Sequence, residues 1–374
     1  MAMVEAARRR WGRVDVLHYN VGVSIAGGDA PLDEITEAAF DRVATINLRG
    51  AIMACKHVLP QMRAQRAGVI ITISSVAAWE RYPNVAYKAT KAGMIAFTQQ
   101  IAIQNAEFGV RAVVPLTDLD LEILGHARQN DALPAFVPDG DVARATFDKY
   151  ETHRLLQGLG LPSPPTVLPG EPVDSYPVMI KPRWGSGARS IHLAQDEREA
   201  AFLAEYIREP AMVQRAMQGP EFSMDCLSDL DGRCLNVIPR TMIESRGGES
   251  IKGTVIADEE LMDLGRRVVE ALGCRGPCTV QAFRDAEIGL GITDVNTRFG
   301  GACPAHLYAA LPGRTYPELI VRMARGERIE PHIGDFRDGV TFTRYYWQLE
   351  LDGDLAPTGH DVVSPPGPPI PTPP

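Results

Sequence analysis

The 374-residue sequence has no apolar run approaching the roughly 20 residues that a helix needs to cross a bilayer. Its opening, MAMVEAARRRWGRVD, places charge on the wrong side for a secretory signal, so a cytoplasmic location is expected. Basic excess is missing too. The 38 Lys+Arg against 47 Asp+Glu give a formal charge of −9, whereas a nucleic-acid surface needs a basic face to displace counterions. Cysteine is scarce: Cys55, Cys226, Cys234, Cys274, Cys278 and Cys303 form no C-x-x-C pair. No histidine pair follows at zinc-ligand spacing, and the eight histidines are scattered, so reduced and mostly buried thiols are expected. Membrane spanning, nucleic-acid binding and structural zinc are thereby set aside.

What remains is long enough for two domains, each with a real core. Charge divides the chain. Residues 1–112 hold 13 Lys+Arg and 9 Asp+Glu, a sum of +4, and the remainder holds 25 and 38, a sum of −13, which suggests segments of separate origin. The first segment alternates. VDVLHYNVG and GVIITISSVA read as buried strands, and LDEITEAAFDRVATINLRGAIMACKHVLPQMRAQ has helical periodicity, with Asp33 or Thr36 as candidate caps. YKATKAGMIAFTQQIAIQNAEFG reads as a long helix closed by Gly109, and the alternation predicts a parallel sheet.

Tyr87 and Lys91 stand at i, i+4 on that helix and so share a face. An ammonium beside a phenol favours phenolate, which suits a general acid/base for carbonyl reduction. Asn20, Asn47 and the pair Ser74-Ser75 precede them in order. Over residues 4–112 this run resembles the short-chain dehydrogenase/reductase family. The resemblance implies Tyr87 as acid/base, Lys91 as its tuner and ribose contact, Ser75 (or Ser74) at the substrate carbonyl and Asn47 in a water relay. It also implies a truncated unit, because the Gly-rich turn that would receive an NAD(P) pyrophosphate is missing.

The second segment is different. VARATFDKYETHRLLQGLG reads as one helix; PVMIKPRWGSGARSIHLA as strand, Gly-rich loop, strand; DEREAAFLAEYIRE as a helix; AMVQRAM as a strand. EFSMDCLSD and RCLNVIPRTMI read as antiparallel strands joined at Asp231-Gly232, followed by the helix DEELMDLGRRVVEALG and the strands CTVQAFRD and GLGITDVNTRF. Lys149 and Lys181 are cations placed for phosphate oxygens, and Gly185, Ser186 and Gly187 can present backbone N–H groups to them. Asp294, Asn296 and Arg298 fall at i, i+2, i+4 of a strand, which puts them on one face. Asp and Asn oxygens suit Mg²⁺, Arg298 can clamp a transferring phosphoryl group, and Gln281 joins them if its strand pairs with theirs.

From about Val113 to Gln348 the sequence resembles the ATP-grasp ligases of the carbamoyl-phosphate-synthase-like branch, through K-P-R-x-G-S-G, V-Q-x-x-x-x-G-x-E, G-P-x-x-V-Q and D-x-N-x-R-x-G-G in order. The resemblance implies ATP and Mg²⁺ as ligands, Lys181 and Arg298 as catalytic, and Asp294 and Asn296 as metal ligands. Glu221 would lie near ribose and metal, and Met212 to Ala216, Val213 among them, would read adenine. Arg215 stands where the family has a glutamate, and Asp294 is one methylene shorter than the usual residue.

The expected fold is therefore α/β: a truncated Rossmann-like parallel segment followed by an α+β ATP-grasp domain. The expected units are residues 1–112, a pre-domain remnant at 113–145, the ATP-grasp domain at 146–350 and a disordered Pro-rich tail at 351–374. The leading functional expectation is ATP- and Mg-dependent activation of a small carboxylate for attack by an amine. An NAD(P)-dependent oxidoreductase lacking its cofactor half, and a fusion without function, are the alternatives.

Overall fold

The computed structural model describes residues 2–78, 82–108, 118–131, 135–185, 190–246, 249–300, 305–344, 349–351 and 357–361. The expected strand VRAVVPL, most of the loop WGSGAR and the end of the proline-rich tail lie outside them.

The first segment builds α1 (Ala2–Trp11), β1 (Val16–Tyr19), α2 (Glu37–Ala44), α3 (Gly50–Gln65), β2 (Val69–Thr72) and α4 (Val85–Asn105). β1 and β2 pair in parallel, Val16 opposite Val69, as the alternation predicts. Leu17, Cys55, Val58, Met62 and Ile101 pack the helices onto them. Thr36 rather than Asp33 caps α2, its hydroxyl accepting from Ala39 N–H at 3.2 Å. A single π turn over Thr45–Arg49 joins α2 to α3 and turns Asn47 fully inward.

α5 (Asp118–Asp131) leads to α6 (Gly140–Phe147) and α7 (Lys149–Gly158). Here the sequence expectation is corrected: two helices replace one. Asp148 is extended (φ −96°, ψ 113°) and its carboxylate accepts from Tyr150 and Glu151 N–H, which starts a new helix at Lys149.

A small sheet follows: β3 (Thr166–Val167), β4 (Val178–Pro182), β5 (His192–Ala194) and, after α8 (Glu197–Tyr206), β6 (Ala211–Arg215), in the order β3-β6-β4-β5. The large sheet has the order β12-β11-β7-β8, all antiparallel, from β7 (Glu221–Ser228), β8 (Cys234–Thr241), β11 (Gly276–Asp285) and β12 (Gly289–Asn296). Pro239 is tolerated in β8 because that strand lies at the sheet edge. A side sheet joins β9 (Glu244–Arg246), β10 (Glu249–Thr254) and β13 (Thr341–Thr343). α10 (Ala305–Tyr308) and α11 (Tyr316–Ala324) contribute to the second core, with Leu319 and Ile320 against Leu235 and Ile238.

α9 (Glu259–Ala271) covers one face of the large sheet. Its buried residues Leu261, Leu264, Gly265, Val268 and Val269 keep the i, i+3, i+4, i+7, i+8 spacing of a one-faced helix. Each aliphatic side chain among them contributes about 1.5–3 kcal/mol by leaving water. Phe222, Met224, Cys226, Val280, Val295 and Ile292 meet it from the strands. The other face carries Leu227 and Ile238 of the second core at one end and polar residues at the other.

The tail expectation is corrected in part. β15 (Pro357–Asp361) pairs antiparallel with β14 (Leu349–Leu351). The α/β class is as expected, a parallel α/β segment followed by antiparallel α+β sheets.

Candidate functional site

A backbone irregularity creates the polar face. Gln281 pairs with Asp294, but its neighbour Ala282 pairs with Ile292, so Thr293 is one residue extra on β12. In a regular strand Ile292 and Asp294 would share a face. The bulge separates them: Ile292 and Val295 both enter the α9 core, and Asp294 and Asn296 turn away from it. Strand β12 ends at Asn296, so Arg298 lies beyond the strand, not at its fifth position as the spacing suggests. Hydrogen bonds link the three instead. Asn296 Nδ2 donates to Asp294 Oδ2 at 3.1 Å, and Arg298 Nη2 donates to Asn296 Oδ1 at 3.0 Å.

Two cations face this group. Lys149, first residue of α7, places Nζ 3.1 Å from Asp294 Oδ1. Its position is secured twice: Lys149 N–H donates to the Arg183 carbonyl at 2.8 Å, and Arg183 Nε donates to both oxygens of Asp148. Lys181, in β4, is buried and donates to Gln214 Oε1 at 2.7 Å, while Gln214 Nε2 donates to Thr166 Oγ1 at 2.9 Å. Burial, and then the positive charge of Lys149, push the Lys181 ammonium down to about 8, against the opposing pull of Asp294 and Glu221. Burial alone would raise Asp294, but Lys149, Lys181 and the Asn296 hydrogen bond outweigh it and hold the carboxyl below its usual range. Glu221 is pushed up by burial and by the Asp294 charge, and it accepts from Gln281 Nε2 at 3.4 Å.

Lys149, Lys181, Glu221, Gln281, Asp294, Asn296 and Arg298 are thus brought together from five elements and the segment that follows β12. Gly185 opens the loop after β4 with φ +114° and no atom within 4 Å of where a Cβ would stand. Ser186 and Gly187 lie outside the described residues. Val213 is inside the small sheet, in register with Val167 on one side and Ile180 on the other. At the end of β6, Arg215 N–H donates to the Pro165 carbonyl and Ala216 N–H to the Pro177 carbonyl.

The first segment also assembles its expected residues. Lys91 is buried, its ammonium pushed down by burial, and Nζ donates to the Ile73 carbonyl at 2.6 Å, 5.5 Å from the Tyr87 ring centroid. Ser74 Oγ donates to the Lys91 carbonyl at 2.8 Å, and Ser75 Oγ accepts from Ala77 N–H at 3.2 Å. Asn47 clamps Val23, accepting from its N–H at 2.8 Å and donating to its carbonyl at 2.9 Å. Asp29, which the sequence did not single out, accepts from Ala86 and Tyr87 N–H and so fixes the start of α4. Gln214, Asp148 and Arg183 were missed for the same reason. Each acts on a partner far along the chain, although Asp148 also carries the local spacing of a helix cap, through Tyr150 and Glu151 N–H.

A short chain dehydrogenase family model matches residues 1–116, and the model described as ATP-grasp in the biosynthetic pathway with Ter operon matches residues 208–344. The first segment is similar to 2-(R)-hydroxypropyl-CoM dehydrogenase of Xanthobacter autotrophicus, 35% identical over 117 residues, which is 30% of this chain and 47% of that protein. Levodione reductase of Leifsonia aquatica is 34% identical over 117 residues, 30% of this chain and 43% of that protein. The chain therefore spans about half the length of the curated relatives it matches. Among solved structures, biotin carboxylase of Campylobacter jejuni, in a complex with β,γ-ATP, superposes with a TM-score of 0.55 at 15% identity, covering 75% of this chain and 66% of that one. L-amino acid ligase of Bacillus licheniformis gives 0.51 at 18% identity, covering 70% and 69%. At such identities the likeness establishes fold. The chain joins a segment of the short-chain dehydrogenase family, residues 1–116, to an ATP-grasp domain whose family model covers residues 208–344.

Proposed function

We propose that residues 146–350 form an ATP- and Mg²⁺-dependent ligase unit that activates a small carboxylate as an acyl phosphate for attack by an amine or similar nucleophile. The Lys149–Asp294 ion pair, flanked by Lys181, Asn296 and Arg298, carries the reading. The donor set fits the ligands. Asp294 and Asn296 offer hard oxygens in small number, which suits a cation that shares its shell with phosphates, and two lysines stand opposite. ATP with Mg²⁺ supplies, when bound, a charge-neutralised γ-phosphoryl group. Lys149 would then exchange Asp294 for a phosphate oxygen and leave the carboxylate to the metal. Lys181, held by Gln214, adds a second cation, and Arg298 steadies charge on the transferring group. Residues 113–145 would be the remnant of a preceding domain. A cytoplasmic setting suits the five buried free thiols among the described residues.

The assembled Tyr87–Lys91–Asn47 cluster favours a second reading, an NAD(P)-dependent oxidoreductase site in residues 1–112. In this arrangement the Lys91 ammonium is committed to the Ile73 carbonyl. We read the cluster as vestigial.

Turnover distinguishes the roles. With Mg-ATP, a panel of carboxylates and hydroxylamine as nucleophile, Asp294→Ala and Asn296→Ala should each lower Mg-dependent ADP release by about 100-fold or more, with melting temperature unchanged. ADP release insensitive to both substitutions contradicts the metal assignment.

A further inference from the structure

Register partners across the large sheet run Asp294, Gln281, Ser223, Arg240, one from each strand, on the face away from α9. The nucleotide reading uses only the first two. Arg240 is 3% exposed and Ser223 is 1% exposed, yet Arg240 Nε and Ser223 Oγ have no hydrogen-bond partner among the described residues. A buried polar atom left unpaired destabilises a fold by about 1–3 kcal/mol, and more when charged. Two such atoms on directly opposed residues of neighbouring strands need an explanation beyond folding.

Among the described residues the ion-pair partner of the guanidinium is Asp225, whose Oδ1 lies 3.6 Å from Arg240 Nη2, outside hydrogen-bond distance, and the Glu221 carboxyl also feels its charge. Asp225 has other ties, since its Oδ2 accepts from His306 N–H at 3.4 Å. Among the described residues, Arg240 Nη1 meets only the weak acceptor Met242 Sδ, at 3.4 Å. The chain leaving Arg298 passes over this spot. A Cβ on Gly300 would stand 3.1 Å from Thr279 Oγ1 and 3.9 Å from Arg240 Nη2, so the segment that holds Asp294, Asn296 and Arg298 runs on to the guanidinium. Three strand spacings of ~4.8 Å separate the Arg240 and Asp294 backbones by about 14 Å, with both side chains on the face between them.

We infer that Arg240 and Ser223 form the subsite for the carboxylate that accepts the phosphoryl group. The inference rests on the nucleotide reading and deepens it. A planar cation beside a hydroxyl matches a carboxylate in charge and in hydrogen-bond geometry. One carboxylate oxygen faces Arg240 and Ser223. The other attacks Pγ of ATP, an O–P bond forms, the bond from Pγ to the ADP oxygen breaks, and ADP leaves with that electron pair. Arg240 is a substrate-binding residue in this scheme, and Gln281 separates it from the metal end.

The test uses the full chain loaded with Mg-ADP and titrated calorimetrically with acetate, L-alanine and succinate. At least one of them binds the wild type. Arg240→Lys weakens that binding about 10-fold or more, and Ser223→Ala about 3- to 10-fold, while Mg-ADP affinity stays within about 2-fold. Ser223→Ala removes a hydroxyl with no hydrogen bond among the described residues, so it leaves the melting temperature unchanged and keeps the test valid even if the arginine variant misfolds. Carboxylate binding unaltered by Ser223→Ala, or none to a wild type that takes Mg-ADP, overturns the inference. A wild type that does not take Mg-ADP overturns the nucleotide reading, and this one with it.

Discussion

Lys181 is where burial has its clearest chemical consequence. Its ammonium is pushed down to about 8 by the removal of water and by Lys149. A polyphosphate at Nζ favours the charged form and moves the value upward. Binding at pH 8.5 therefore takes up a proton, approaching about one per site, whereas below pH 7 the group is already charged and takes up almost none. Nucleotide affinity should weaken correspondingly as pH rises through 8. Titrations in buffers of different ionisation enthalpy measure the uptake, and a zero slope at pH 8.5, or a slope unchanged by Lys181→Met, contradicts the assignment. The residue types at Lys149, Lys181, Asp294 and Asn296 were legible in the sequence because charge and amide chemistry restrict what such a group can do. Arg240 was not, being a single arginine after a proline, with no spacing to mark it.

Elements set the geometry those residues use. The helix break at Asp148 puts Lys149 at a helix start, and the same carboxylate binds Arg183, so two distant segments are tied at one point. Asp148→Ala should destabilise the fold by about 1–2 kcal/mol, the loss of a cap, and should also weaken Mg-ADP binding, because Lys149 loses its anchor. A denaturant melt paired with a nucleotide titration checks both, and a stability loss without an affinity loss refutes the anchoring role. Gly265 on α9 gives an opposite-signed test of packing against propensity. A Cβ there would lie 2.7 Å from Val237 Cγ1 and 3.2 Å from Cys226 Sγ. Alanine gains about 1 kcal/mol of helix propensity, but overpacking removes about 1–3 kcal/mol. Gly265→Ala should thus lower stability, and a raised melting temperature shows that the contact is softer than drawn. Periodicity located α9 and the four strands of the large sheet, but not β9 and β10, which lie in a stretch that reads as a loop. It could not locate the bulge at Thr293, because register depends on a partner strand and leaves no local trace.

For the whole molecule, the alternation in residues 1–108 and the hairpins beyond residue 210 made the two fold classes readable from pattern alone. Charge and motif place the expected seam near residue 112, and residues 109–117 lie outside those described. The division of labour follows from chemistry rather than order. The first segment holds an assembled but internally committed Tyr87–Lys91 cluster, and the second a polar sheet face with cations opposed to Asp294 and Asn296. The most direct test is a pair of calorimetric titrations of the full chain, one with Mg-ATP analogue and one with NADPH. Heat with the nucleotide triphosphate analogue, lost in Asp294→Ala, together with none from NADPH, is the expected result. Heat from NADPH alone, or from neither ligand, contradicts it.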